Sequence, residues 1–211
     1  MTLLAGFPKH SEINSYVVAS FEVLMKQLIK RLCLFAFLPV SLAVFAQNND
    51  NYLYWSASRK LMLNDFAIKT SDGKAGTSAA QYYFSYEVNS FDFMTKNFNK
   101  KVHNCIIRSA SWIDTTYDVK TSLRYQQTLF DLAEVYARHF RKDLKDNRKK
   151  LLKGTDFIKD LNSKNMTDFA KRQIEYNDDT QFGTNRVMQE RWEQQIQLEL
   201  NQLKAFAQEE K

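Results

Sequence analysis

From Leu123 onward, apolar side chains recur at Leu129, Phe130, Ala133, Tyr136, Ala137, Phe140 and Leu144. That is the spacing of one helix stripe. No proline follows: Pro8 and Pro39 are the chain's two, and both precede it by far. A helix interior loses a hydrogen bond and gains a clash at every proline, so this part of the chain is free to form long helices. The stripe predicts a helix capped by Thr121 or Ser122, with Arg and Lys on its other side and an end near Gly154. A second, weaker helical pattern covers residues 157–174. The polar residues 177–179 and Gly183 predict a turn. Thr184 is then placed to cap a last helix striped by Met188, Trp192, Ile196, Leu200 and Leu203.

The preceding part has a different period. Tyr82, Phe84, Tyr86 and Val88 alternate with Tyr83, Ser85 and Glu87, the pattern of a half-buried strand. Residues 102–113 predict another, interrupted by Asn104 and closed by Trp112. Residues 71–78 hold Gly73, Gly76 and small polar side chains, hence a loop. Residues 91–98 are aromatic and ambiguous. Strands first and helices after predict an α+β fold, a small antiparallel sheet from the N-terminal half packed against long C-terminal helices.

The N-terminus divides on its own pattern. Met25 is followed by Lys26, Lys30 and Arg31, then by the apolar run 32–45, which exits through Val44, Phe45 and Ala46. Basic flank, short apolar stretch and small-residue exit predict a secretory signal peptide over 25–46. The run falls short of the ~20 residues a spanning helix needs. Residues 1–24 are then expected to be an upstream extension from a misplaced start. Residues 47–211 form the expected exported domain, periplasmic or extracellular. A chain of that length buries about 70% of its unfolded surface, enough for a core without staples. Cys105 is the one cysteine after residue 46, in an apolar stretch that predicts a buried small hydrophobe.

The net charge is +6, and setting aside the four basic and two acidic residues of 1–46 leaves +4. Residues 138–153 hold eight Lys or Arg and two Asp. Such a run predicts a solvated helix face, with weak contact to anionic lipid as the alternative. An exported protein is not expected to meet nucleic acid, and no aromatics interleave with residues 145–150 as a stacking platform requires.

Candidate chemistry is sparse. His103 and His139 are the only histidines after residue 46, and neither has a partner at ligand spacing. A catalytic zinc needs about three protein ligands, so no metal, cofactor or catalytic residue is assigned. Both histidines are expected to be solvated. No glycine-rich phosphate loop and no nucleophile elbow is present. Asp131 and Glu134 stand one helical turn apart and, with Asp178, are the candidates for metal-free acid–base work. Ordinary helix carboxylates with local partners are the plainer expectation.

Four patches carry a resemblance. They are Leu63-Asn64-Asp65-Phe66, Ser111-Trp112-Ile113, Phe130-Asp131-Leu132-Ala133-Glu134 with Tyr136-Ala137-Arg138, and the segment from Tyr176 through Thr180-Gln181-Phe182-Gly183 to Trp192. In order and spacing the chain resembles the bacterial secreted family catalogued as domain of unknown function 922, described as zinc-dependent peptidases. The resemblance implies a zincin-like fold and a His-Glu-x-x-His helix. Aligned on Phe130-Asp131, it places the first histidine on Tyr125, the glutamate on Gln126, the second histidine on Leu129, and a further histidine on Phe182. A phenolate binds metal weakly, leucine and phenylalanine not at all, and an amide takes no proton from water. The resemblance therefore implies a pseudoenzyme whose metal site has turned into core, Leu129 packing on Phe182, and whose role is to bind a protein or envelope component. The competitors are a hydrolase using another site and a basic envelope-surface protein.

Overall fold

One long strand organises the N-terminal half. The computed structural model describes residues 51–71, 77–87, 95 and 98–208, all within the compact unit Asp50–Lys211. Strands β1 (Tyr52–Tyr54), β2 (Ile68–Thr70), β3 (Ser78–Tyr86) and β4 (Val102–Asp114) form a sheet in which every partner pairs with β4. β3 runs antiparallel to β4 along its length, Tyr82 opposite Ile106 and Tyr86 opposite Val102. The other edge of β4 is shared. β1 pairs antiparallel with Cys105 to Ile107, and β2 pairs parallel with Trp112 to Asp114. The sheet is thus mixed, not purely antiparallel. β2 and β3 both meet the C-terminal end of β4, so the chain changes edges there and reverses.

The alternation 82–86 holds: Tyr82 and Phe84 are buried and Tyr83 is exposed. Val88 and most of 91–98 lie outside the described residues. Asn104 does not break β4. It sits on the core side with Val102 and Ile106, and its Nδ2 donates to the Phe130 carbonyl at 3.3 Å. Cys105 is buried as expected. Its Sγ donates to the Tyr83 carbonyl, and burial pushes the thiol up to about 11.

Three helices follow: α1 (Val119–Asp146) packs on the sheet's inner face, and α2 (Asp156–Thr180) and α3 (Arg186–Gln202) pack on α1 and on each other. α1 is central. Every side chain from Thr128 to Val135 is buried, polar ones included. Phe169 of α2 is the hub beneath the sheet, its ring within 6 Å of Tyr82, Phe84 and Tyr136. A smaller cluster of Val102, Phe140, Leu144, Leu151 and Ile158 closes the far end. Each such side chain contributes about 1.5–3 kcal/mol by leaving water. Among the described residues no helix is long and apolar enough to cross a membrane.

Several boundaries differ from the expectation. The α1 cap is Asp118, not Thr121 or Ser122; its Oδ1 accepts from the Lys120 and Thr121 amides at 3.0 and 3.2 Å. A carboxylate before the stripe outcompetes hydroxyls inside it, since it meets two orphan amides at once. Residues 177–179 are not a turn but the last turn of α2. The reversal is tighter and later, through Gln181, Phe182 and Gly183 at φ +48°, +55° and +86°. Asn185, not Thr184, caps α3, accepting from the Met188 amide. Gly154 does end the first helical stretch, after a 3-10 segment Arg148–Lys153.

The basic run 138–153 is not one solvated face. Arg138 and Arg141 are buried, while Lys142, Lys145 and Lys149 remain exposed. Arg138 and Arg141 share the Glu134 face of the helix, which the end of α3 and the residues after it cover.

Candidate functional site

The positions implied to be metal ligands are occupied by structural bonding. Tyr125 lies on the α1 face toward the end of α2. Its hydroxyl donates to Asn177 Oδ1 at 2.5 Å, and its ring stacks on Tyr176, centroids 5.2 Å apart and planes 13° apart. Burial raises its phenol well above the ordinary value. Tyr176 in turn donates to Gln189 Oε1 at 2.7 Å. Gln126 points instead at the sheet: Oε1 accepts from the Tyr82 hydroxyl at 2.8 Å, and Nε2 donates to Ser78 Oγ at 3.0 Å. Leu129 is in the main core.

Phe182 departs from the expectation. It is 55% exposed and does not join the core that holds Leu129. Its ring meets only the outer side of Tyr125, at 6.2 Å between centroids. The reason is the backbone at the reversal. Gly183 brings its Cα against Tyr125, where an added Cβ would fall 2.7 Å from the Tyr125 Cβ. The glycine takes the buried place, and the preceding residue is turned outward in the left-handed region, costly for a bulky side chain.

The three carboxylate candidates are not brought together. Asp178 is exposed near the end of α2. Glu134 is enclosed: its Oε1 accepts from Arg138 Nε at 3.0 Å and Arg141 Nη1 at 2.7 Å. Those arginines also donate to the Leu200, Val102 and Phe206 carbonyls. Glu134 is thus bonded inside the core, tied to the two arginines that follow it on α1.

Asp131 is different. It is buried, yet it borders a cleft of about 480 Å³ between α1, α3 and the Lys60–Leu61 segment. Oδ1 accepts from Trp55 Nε1 and Gln127 Nε2, both at 2.8 Å. Among the described residues Oδ2 has Gln197 at 3.5 Å and the Lys60 ammonium at 3.8 Å. Burial raises its pKa; Trp55, Lys60 and Gln127 pull the other way and lose. Across the cleft Glu193 has the opposite balance. Burial pushes it up, but Arg124, Gln189 and Thr128 outweigh that and hold it below the usual range. Arg124 grips Glu193 with both Nε and Nη2, at 2.7 and 2.8 Å.

Sequence reasoning found Asp131 but missed Trp55, Lys60, Arg124 and Glu193 around it. Trp55 with Lys60, and Glu193, come from segments distant from Asp131; Arg124 stands two turns before it on α1, and that spacing is a local signal the sequence offered.

Neither His103 nor His139 lines this cleft. His103 is half-buried rather than solvated, Gln208 Nε2 lying 2.7 Å from its Nδ1. His139 is exposed, as expected, and borders a second, polar cleft of about 500 Å³ with Lys164, Asp168 and Arg172. Desolvation lowers its pKa. Among the described residues no three His, Cys, Asp or Glu side chains converge as metal ligands do.

No family model, curated protein or solved structure matches this chain.

Proposed function

We propose that the chain is an exported, catalytically inactive member of a zinc-peptidase-like group, retained for binding a protein or envelope component. The observation that carries this reading is the fate of the three helix positions. Tyr125 is bonded to Asn177, Gln126 is held between Tyr82 and Ser78, and Leu129 is core. When ligands that once converged on an ion are replaced, the new polar groups need partners or cost about 1–3 kcal/mol each. Here each of the polar replacements has one. Phe182 contributes nothing to that filling, so the reading rests on α1 and on Tyr176 and Asn177 facing it. Contact with anionic lipid through 138–153 belongs to the same reading in reduced form, because Arg138 and Arg141 are internal.

The test has two parts. Mass spectrometry of the secreted product is expected to find Gln47 as its first residue; a product retaining Met25 removes the export half. Elemental analysis of the purified chain is expected to find no stoichiometric zinc. Added zinc should leave Tm unchanged, whereas an ion bound only by the native state stabilises by several kcal/mol at ~1,000-fold excess over Kd. One zinc per chain, lost on substituting His103 or His139, overturns the inactive half.

A further inference from the structure

Asp131 carries a carboxylate whose two oxygens are served unequally. Oδ1 has an indole and an amide donor at 2.8 Å, while Oδ2, on the residue that lines the cleft, has no donor closer than 3.5 Å among the described residues. A buried charge is costly until a counter-charge reaches it. Two cations are near, and neither meets that need. Arg124 is committed to Glu193 through two short bonds. Lys60 stays at 3.8 Å with its side chain 65% exposed, most of it in water.

We infer that this cleft binds a primary ammonium group carried on a short apolar stem, with Asp131 Oδ2 as its acceptor. The volume of about 480 Å³ suits a small ligand. Leu61 and Leu123 supply apolar wall for the stem. The chemistry selects ammonium over guanidinium. A planar guanidinium is recognised best by two free carboxylate oxygens, and only one is free here; an ammonium is a compact charge that needs one. It also selects against anions, which would meet Asp131 and Glu193. Lys60 is then an internal competitor that a ligand displaces. The inference rests on the cleft alone and stands whether or not the metal-site reading does. The ammonium is either that of a free amine or that of a lysine side chain on a partner polypeptide.

The Trp55 indole N–H donates to the same carboxylate, so its NMR resonance reports on the site. The purified chain is titrated with n-butylammonium at constant ionic strength, with n-butanol as the uncharged control. A saturable Trp55 shift is expected with the amine and none with the alcohol. Asp131→Asn, which keeps the shape and can still accept from Trp55, should weaken binding by about tenfold or more. Lys60→Ala, on an exposed side chain, should tighten it by removing the competitor. Equal shifts with butanol, or an affinity that Lys60→Ala leaves unchanged or lowers, overturns the proposal. A parallel titration with Nα-acetyl-lysine methylamide separates the sources: tighter than butylammonium points to a polypeptide lysine, weaker to a free amine.

Discussion

At the scale of single residues, burial and bonding pull Asp131 and Asp65 in opposite directions. Asp65 is buried too, but Arg59 at 2.6 Å, the Met62 amide and Arg108 at 2.8 Å outweigh burial and lower its pKa. Asp131 faces Lys60, Glu134 and the uncharged Trp55 and Gln127, and burial wins. The consequence for stability follows from linkage. With its folded pKa raised, Asp131 binds its proton more tightly in the native state than in the unfolded chain. Its contribution is full below the unfolded value near 4 and is lost as pH rises through the folded value. Asp131→Asn should therefore remove a fall in stability that begins as pH rises past about 4 and ends above the raised folded value, and leave the acid limb governed by Asp65 in place. Urea unfolding of both proteins across that range measures it. Parallel profiles would mean that Asp131 is not raised. This contrast was half legible in sequence. Asp131 was visible as a carboxylate within an apolar stripe; that Lys60 stays too far to neutralise it is a matter of tertiary distance.

At the scale of elements, α1 shows why a stripe is an incomplete guide. Its apolar positions predicted one buried face, and from Leu129 to Leu144 they are buried, Tyr136 partly. Its arginines were expected on the opposite, solvated side, yet Arg138 and Arg141 are internal because α1 is covered on more than one side. They reach past Glu134 to the Leu200 and Phe206 carbonyls, groups at the C-terminal end of α3 and just beyond it, where helix carbonyls run out of intrahelical donors. They also hold the Val102 carbonyl at the start of β4. Charge thus ties three elements together at one place. Arg141→Ala should cost about 3–5 kcal/mol, since it leaves buried carbonyls and part of Glu134 uncompensated. Replacing Arg141 by Met and Glu134 by Leu together should cost less than the two single changes summed, because that pair is removed as a unit while Arg138 keeps the Leu200 carbonyl as an acceptor. Chemical denaturation of the set checks this; additive losses would show that the pair is not coupled. The element boundaries missed in sequence have local reasons as well. Asp118 won the cap by reaching two amides, and the 177–179 segment stayed helical because Phe182 and Asn185 close the end through the Asn177 and Thr180 carbonyls.

At the scale of the molecule, the helices are not equally anchored. α1 is buried through its middle, whereas α2 buries chiefly Ile158, Asn165, Phe169, Tyr176 and Thr180, and residues 159 and 160 are exposed. Local opening follows the density of buried contacts. Amides of α2 from 159 to 168 should therefore exchange hydrogen faster than those of α1 from 126 to 140, in a native-state exchange experiment; equal protection would mean that the two helices open only with the whole fold. The sequence by itself determined β3, β4 and the three helices in their order, because period two and period 3.6 are set by backbone geometry and need only neighbours along the chain; the three-residue β1 and β2 are too short to carry a period. It also determined which side chains, Tyr82, Phe84, Leu129, Trp192 and Ile196 among them, go inside. Tertiary structure alone decided the parallel pairing of β2, the outward turn of Phe182, the inward turn of Arg138 and Arg141, and the meeting of Lys60, Asp131 and Glu193 at one cleft. Each of those depends on groups far apart in the chain, whose distance and desolvation arise only once the helices have packed on the sheet.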